Sequence, residues 1–165
     1  MILALAPALA LQRPIQKQQA VDGAFKVIVL PVPNLEQFER DWKVTTEGAH
    51  ITSNDRLIRN KPTFIVVLFG GCERNTEGKC RIEVRPELRT PDGQFYDGMD
   101  GTKPPPAADV PVSRPDSFFL APQVVGMEIE PGEALGPYRL KVTVSDLIAK
   151  RTAVTEQTLT AVEAE

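Results

Sequence analysis

Histidine occurs once in these 165 residues, tryptophan once, cysteine and tyrosine twice each, and aromatics make up 6%. Each scarcity removes a class of chemistry. A nucleophilic hydrolase needs a base, usually imidazole, held against its nucleophile, and His50 is the only imidazole in the chain. Ser53, Asp55 and Ser145 are its nominal partners, yet no Gly-x-Ser-x-Gly elbow presents a serine. For a transition metal the best set is Glu47, His50 and Asp55, with Asp41 nearby, and no second histidine supports it. Cys-x-x-Cys spacing is missing, which argues against a thiol redox pair. Phosphate-cradling glycine loops and dinucleotide fingerprints are missing too. Charge of one sign is not concentrated either: the net charge is −3, and Arg81, Arg85 and Arg89 alternate with Glu83 and Glu87. That is a mixed solvated strand face and not a phosphate-binding stripe, so nucleic acid is not an expected partner.

What is present is the alternation of β-strands. With 42% apolar and 25% charged residues, the composition suits one ordinary globular domain. Tyr138, Leu140, Val142 and Val144 fall on one side of a strand, and Arg139, Lys141, Thr143 and Ser145 on the other. Period-two alternation buries one face only. A strand from Val124 precedes it across a Pro131-Gly132 turn. Tyr138, at the head of the second strand, fits the corner tyrosine of immunoglobulin-like sandwiches. Thr63 to Phe69 is continuously apolar, as in a central strand covered on both faces. Phe25 to Val32 reads as a first strand whose Pro31 marks an edge or an end, and Pro86 marks an edge or bulge after Ile82 and Val84. Weaker strands are expected at Ile51 to Ile58, Gln94 to Tyr96 and Ala153 to Val162. Between the strands, Asn34 reads as a helix cap with Gln37 in the capping-box position. Leu35, Phe38 and Trp42 then share one face of a short helix that seals an edge or end. The sum is an all-β, immunoglobulin-like antiparallel β-sandwich with one short N-terminal helix and a long Pro-rich loop.

The N-terminus speaks to location. Residues 1–10 are apolar and uncharged, and Ala8-Leu9-Ala10 matches a small-x-small cleavage site, so this is a signal-peptide-like segment, without the usual basic start. Ten residues are too few for a membrane-spanning helix, and no cysteine follows for a lipid anchor. Residues 11–22 form a polar lead, and 23–165 a single sandwich domain. Periplasmic or secreted localisation follows. In that compartment Cys72 and Cys80, bracketing the turn-rich heptapeptide Glu73 to Lys79, read as a disulfide across a loop neck.

These landmarks together resemble a group of small exported proteobacterial proteins with immunoglobulin-like sandwiches and no known activity. The resemblance rests on Phe38 to Trp42, on Phe69-Gly-Gly-Cys72 with Gly78-Lys-Cys80, on Leu88-Arg-Thr-Pro-Asp-Gly93, and on Glu130 to Tyr138 through Asp146. It spans residues 23 to 162 and implies export, a small disulfide loop and a sandwich. It carries over no functional residue.

Binding therefore falls to loops, which vary freely at the ends of sandwiches and lose little entropy on docking when rigid. Two stand out. The disulfide-clamped loop offers Glu73, Arg74, Asn75 and Lys79; the excursion from Asp97 to Asp116 offers Lys103, Pro104, Pro105 and Pro106. The carboxylates of Asp92, Asp97 and Asp100 lack EF-hand spacing and read as turn residues in place of a calcium site. No cofactor, metal or catalytic residue is expected. The functional reading is a non-catalytic exported protein that binds an envelope or secreted protein. The alternatives are a hydrolase inhibitor presenting the 72–80 loop, and a small metal-binding protein or enzyme.

Overall fold

The structure, a computed structural model, describes residues 19–44, 53–114 and 116–165. In chain order its elements are β1 (Gln19–Asp22), β2 (Phe25–Val32), α1 (Leu35–Val44), β3 (Arg56–Ile58), β4 (Thr63–Gly70), β5 (Lys79–Arg89), β6 (Phe95–Asp100), β7 (Ala108–Pro111), β8 (Phe119–Leu120), β9 (Val125–Met127), β10 (Gly136–Asp146) and β11 (Arg151–Val162). One sheet runs β1-β2-β4, with β8 and β9 sharing the far side of β4. The other runs β3-β11-β10-β5, with β6 and β7 sharing the far side of β5. Every pair is antiparallel except β3 on β11. The two sheets pack face to face as an immunoglobulin-like β-sandwich, in line with the alternation in the sequence.

The inward face of β10 is the spine of the core. Tyr138, Leu140, Val142 and Val144 are all buried against Phe25, Val27, Val29, Ile65, Val67 and Phe69 of the first sheet. Fully burying a side chain of this size contributes about 1.5–3 kcal/mol. The Tyr138 hydroxyl donates to the Ala134 carbonyl at 2.8 Å, the bond expected of a corner tyrosine. The strand before it behaves differently from the simple pair implied by the Pro-Gly turn. β9 pairs with β4 in the first sheet, whereas β10 lies between β5 and β11 in the second. Arg59 organises this crossing by donating to the carbonyls of Glu130 (2.6 Å) and Glu133 (3.1 Å). Alternation dictates which side chains face inward, and it is silent on which strand lies alongside.

Helix α1 begins as expected, the Asn34 Oδ1 accepting the Gln37 amide at 3.0 Å. The reciprocal half of the capping box is replaced: the Gln37 side chain donates to Asp41 at 2.7 Å. The helix does not seal an edge or end. Phe38 packs with Leu30, Val32, Val66 and Leu68 on the outer face of the first sheet, flanked by Leu35 and Trp42. Those strand residues point away from the main core, so the helix explains why β4 is apolar along its whole length.

Both prolines lie in central strands, at places where a neighbour is missing. Among the described residues β1 pairs with β2 only as far as Ile28, so Pro31 has β4 as its strand partner, and its carbonyl accepts the Asn54 amide at 3.0 Å. β7 pairs with β5 up to Ile82, and β6 resumes at Glu87. Pro86, paired with Val142, falls in the gap, where no ladder partner requires its missing N–H. The Pro-rich excursion is likewise shorter than its composition predicts. Residues through Asp100 belong to β6, Ala108–Pro111 form β7, and Val112 is buried. At the other end of the chain, Gln19–Asp22, expected in the polar lead, pair with β2 as β1.

The disulfide-clamped end of the sandwich

β4 ends at Gly70, and the chain turns at Gly71 with φ of 68°. A Cβ there would stand 1.8 Å from the Ala24 carbonyl oxygen, so only glycine lets the two backbones meet. Cys72 and Cys80 then form the expected disulfide, with Cα atoms 6.1 Å apart. Closing so short a loop removes unfolded-chain entropy worth about 2.5 kcal/mol.

Inside the clamp, the loop is a supported turn. The Asn75 amide donates to the Lys79 carbonyl (2.8 Å) and the Gly78 amide to the Asn75 carbonyl (3.0 Å). The Asn75 side chain accepts the amides of Glu77 (2.9 Å) and Lys79 (3.0 Å). Lys79 Nζ lies 2.7 Å from Glu77. This contact lowers the Glu77 carboxyl below, and raises the Lys79 ammonium above, their usual ranges, through the hydrogen bond first and the opposite charge second. Of the four residues singled out here, Asn75 and Lys79 are thus engaged in building the loop. The side chains of Glu73 and Arg74 are exposed and turned outward.

Asp146, the last residue of β10, was not singled out by its sequence, and it ties this end together. Its carboxylate is fully buried and accepts the amides of Glu73 (2.8 Å), Ile148 (3.1 Å) and Ala149 (3.3 Å). One side chain thereby caps the β10–β11 turn and docks the disulfide loop onto it. The Leu147 amide donates to the Arg81 carbonyl (2.9 Å), and the Val112 amide to that of Gly78 (3.1 Å). Across the seam, Asp22 accepts the Thr152 amide at 3.0 Å. The only sequence signal for Asp146 is its parity: it continues the inward row 138, 140, 142, 144, where an unpartnered carboxylate would be very costly.

The second group of predicted residues is elsewhere. Gln123, buried, donates to the carbonyls of Ile82 and Pro106, each at 3.0 Å. Lys103, Pro104, Pro105 and Pro106 therefore run beside the gap in β5, screening a sheet edge in the manner of edge prolines. Pro104 and Pro105 are half-buried, Lys103 and Pro106 exposed. The structure does not unite this stretch with the disulfide loop.

The remaining candidates have ordinary roles. Asp92 accepts from the Thr90 hydroxyl, and Asp100 from the Thr102 amide (2.9 Å) and hydroxyl (2.6 Å). These turn bonds lower both carboxyls below the usual range. Asp97 is exposed. Ser145 lies 3.2 Å from the Thr152 hydroxyl on the outer face of the second sheet. Asp41 receives the Gln37 side chain, and the Asp55 carbonyl accepts the Thr160 amide at 2.7 Å. Glu47, His50 and residues 1–10 lie outside the described residues. Among the described residues no group of three His, Cys, Asp or Glu side chains is placed to hold a metal ion, and no helix is long and apolar enough to cross a membrane. The mixed-charge face is as the sequence predicts: Lys141 pairs with Glu87 (3.1 Å), Arg85 with Glu83 (3.0 Å) and Arg81 with Asp109 (3.2 Å).

Among known proteins, no family model matches the chain, and no curated protein does. One solved structure similar to it is the CARDB domain of a Pyrococcus furiosus protein in complex with di-metal ions. The two share 16% sequence identity and a TM-score of 0.38, over 68% of this chain and 87% of that one.

Proposed function

We propose that this protein is a non-catalytic exported binding protein of the proteobacterial immunoglobulin-like group it resembles, and that it recognises an envelope or secreted protein through its disulfide-clamped end. The observation that carries this reading is the loop from Cys72 to Cys80. It is closed covalently, supported from within by Asn75 and fastened from behind by Asp146, while Glu73 and Arg74 face outward. A loop already held in one shape loses little conformational entropy on docking. The disulfide also supports an oxidising compartment, periplasmic or extracellular.

The test is retention of envelope and secreted fractions on the immobilised chain. The native protein is expected to hold a defined protein that is lost with Arg74→Ala and after reduction of the disulfide. Retention unchanged by both treatments, or no retained protein at all, would overturn the reading.

A further inference from the structure

Cys72 and Cys80, eight residues apart in sequence, enclose two basic side chains, and the fold treats them differently. Lys79 is half-buried at the start of β5 and held by Glu77 at 2.7 Å. Arg74 is exposed and makes no hydrogen bond or ion pair among the described residues.

The backbone around Arg74 repeats this contrast. The amide of Glu73 is taken by the Asp146 carboxylate. On the other side, the amide, carbonyl and side chain of Asn75 are all spent inside the loop. Between these two anchored neighbours, the Arg74 amide and carbonyl are left unused among the described residues. The chain turns only afterwards, at Thr76 and Glu77, and no residue from Cys72 to Asn75 adopts a left-handed backbone.

A serine protease of trypsin-like specificity needs these groups. Its specificity pocket has a carboxylate that selects an arginine side chain, and its oxyanion hole takes the carbonyl of the same residue. We infer that the Cys72–Cys80 loop is an inhibitory loop for serine proteases that select arginine, with Arg74 entering the specificity pocket. This rests on the reading of the disulfide end as the interaction end and names the class of its partner.

The same bonds explain why the loop inhibits and is not simply digested. Attack by the protease serine oxygen on the Arg74 carbonyl carbon forms an ester and breaks the Arg74–Asn75 amide bond, and the Asn75 nitrogen takes up the serine proton. In a flexible chain the new amine departs and water hydrolyses the ester. Here the disulfide links both sides of the break, and Asn75 stays fastened to Glu77 and Lys79. The amine therefore remains beside the ester at high effective concentration. Its return re-forms the amide and gives the proton back to the departing serine oxygen.

Inhibition assays on the full chain test this, with trypsin and a chromogenic arginyl substrate as the probe and chymotrypsin as the control. The native protein is expected to inhibit trypsin stoichiometrically and to leave chymotrypsin active. Arg74→Ala should weaken inhibition at least about 100-fold, the loss expected of a central anchor. Arg74→Lys should retain inhibition, and Arg74→Phe should transfer it to chymotrypsin. Replacing Cys72 and Cys80 together by serine should yield a substrate cut between Arg74 and Asn75, with far-UV circular dichroism still native before the cut. No inhibition by the native chain at about 10 μM, far above the usual range for protease–inhibitor pairs, would overturn the inference. Inhibition unchanged in Arg74→Ala, or complete cleavage after Arg74 without inhibition, would do the same. If an envelope or secreted protein is still retained in an Arg74-dependent manner by a chain that does not inhibit trypsin, this inference alone falls and the binding reading stands.

Discussion

Strand β10 is closed at each end by one buried polar side chain, and the two closures differ in kind. At its start, the neutral Tyr138 hydroxyl makes one bond to a carbonyl four residues upstream. At its end, the Asp146 carboxylate gathers three amides, one of them from Glu73, 73 residues away in sequence. The first closure is local and shapes a single turn. The second is long-range and joins the disulfide loop to the last hairpin. A charged acceptor with several donors makes the stronger bonds, and its removal strands more groups.

The largest predicted effect follows from that difference. Asp146→Ala leaves the amides of Glu73, Ile148 and Ala149 without their acceptor, and urea denaturation should show a loss of about 3–4 kcal/mol. A loss below about 1 kcal/mol would mean that the carboxylate is not the clamp. Next in size, replacing Cys72 and Cys80 together by serine should cost about 2.5 kcal/mol from the entropy of the opened loop. Combining this change with Asp146→Ala should cost less than the sum, since both act on one loop. Strict additivity would separate the two fastenings.

At the other end, Tyr138→Phe removes one hydrogen bond from a well-packed ring and should cost about 1 kcal/mol. It should also change the response to alkali. Burial, then the charge of Glu133, raises the Tyr138 phenol above its ordinary value, and Tyr96 is raised as well. A group with a raised pKa in the folded state contributes stability that is complete below its unfolded value, near 10, and is lost as pH rises through the folded one. Thermal melting should therefore fall above about pH 10, less steeply in Tyr138→Phe; equal slopes would remove Tyr138 from the titration. The smallest effect is expected on the outer face, where Lys141→Ala breaks a half-exposed ion pair with Glu87 and should cost at most about 0.5 kcal/mol.

Much of this was legible along the chain because it depends on near neighbours. The inward row of β10, the apolar β4, the Asn34 cap and the disulfide each follow from side-chain period, local capping chemistry or loop length. The places where the structure departs from the sequence reading share another cause. Gln19–Asp22, read as part of the polar lead, pair with β2 as a strand, and α1 covers a sheet face that no local pattern points to; Pro31, one residue from the end of β2, and Pro86, beside the register shift of β5 against β6, fall where an end and a bulge were expected. Of the eight loop residues proposed for binding, the fold leaves Glu73 and Arg74 outward at the disulfide end, uses Asn75 and Lys79 for support, and sends the Lys103–Pro106 stretch along a sheet edge.

By itself, then, the sequence determined that this chain makes a two-sheeted sandwich with a cysteine-closed loop, because alternation and short-range chemistry act between residues close in the chain. Only the tertiary structure decided that β9 and β10 part into different sheets, that Asp146 holds the Cys72–Cys80 loop, and that α1 covers the outer face of the first sheet. Those facts depend on which distant segments share a hydrogen-bond register or a buried carboxylate, and neither period nor spacing along the chain carries that information.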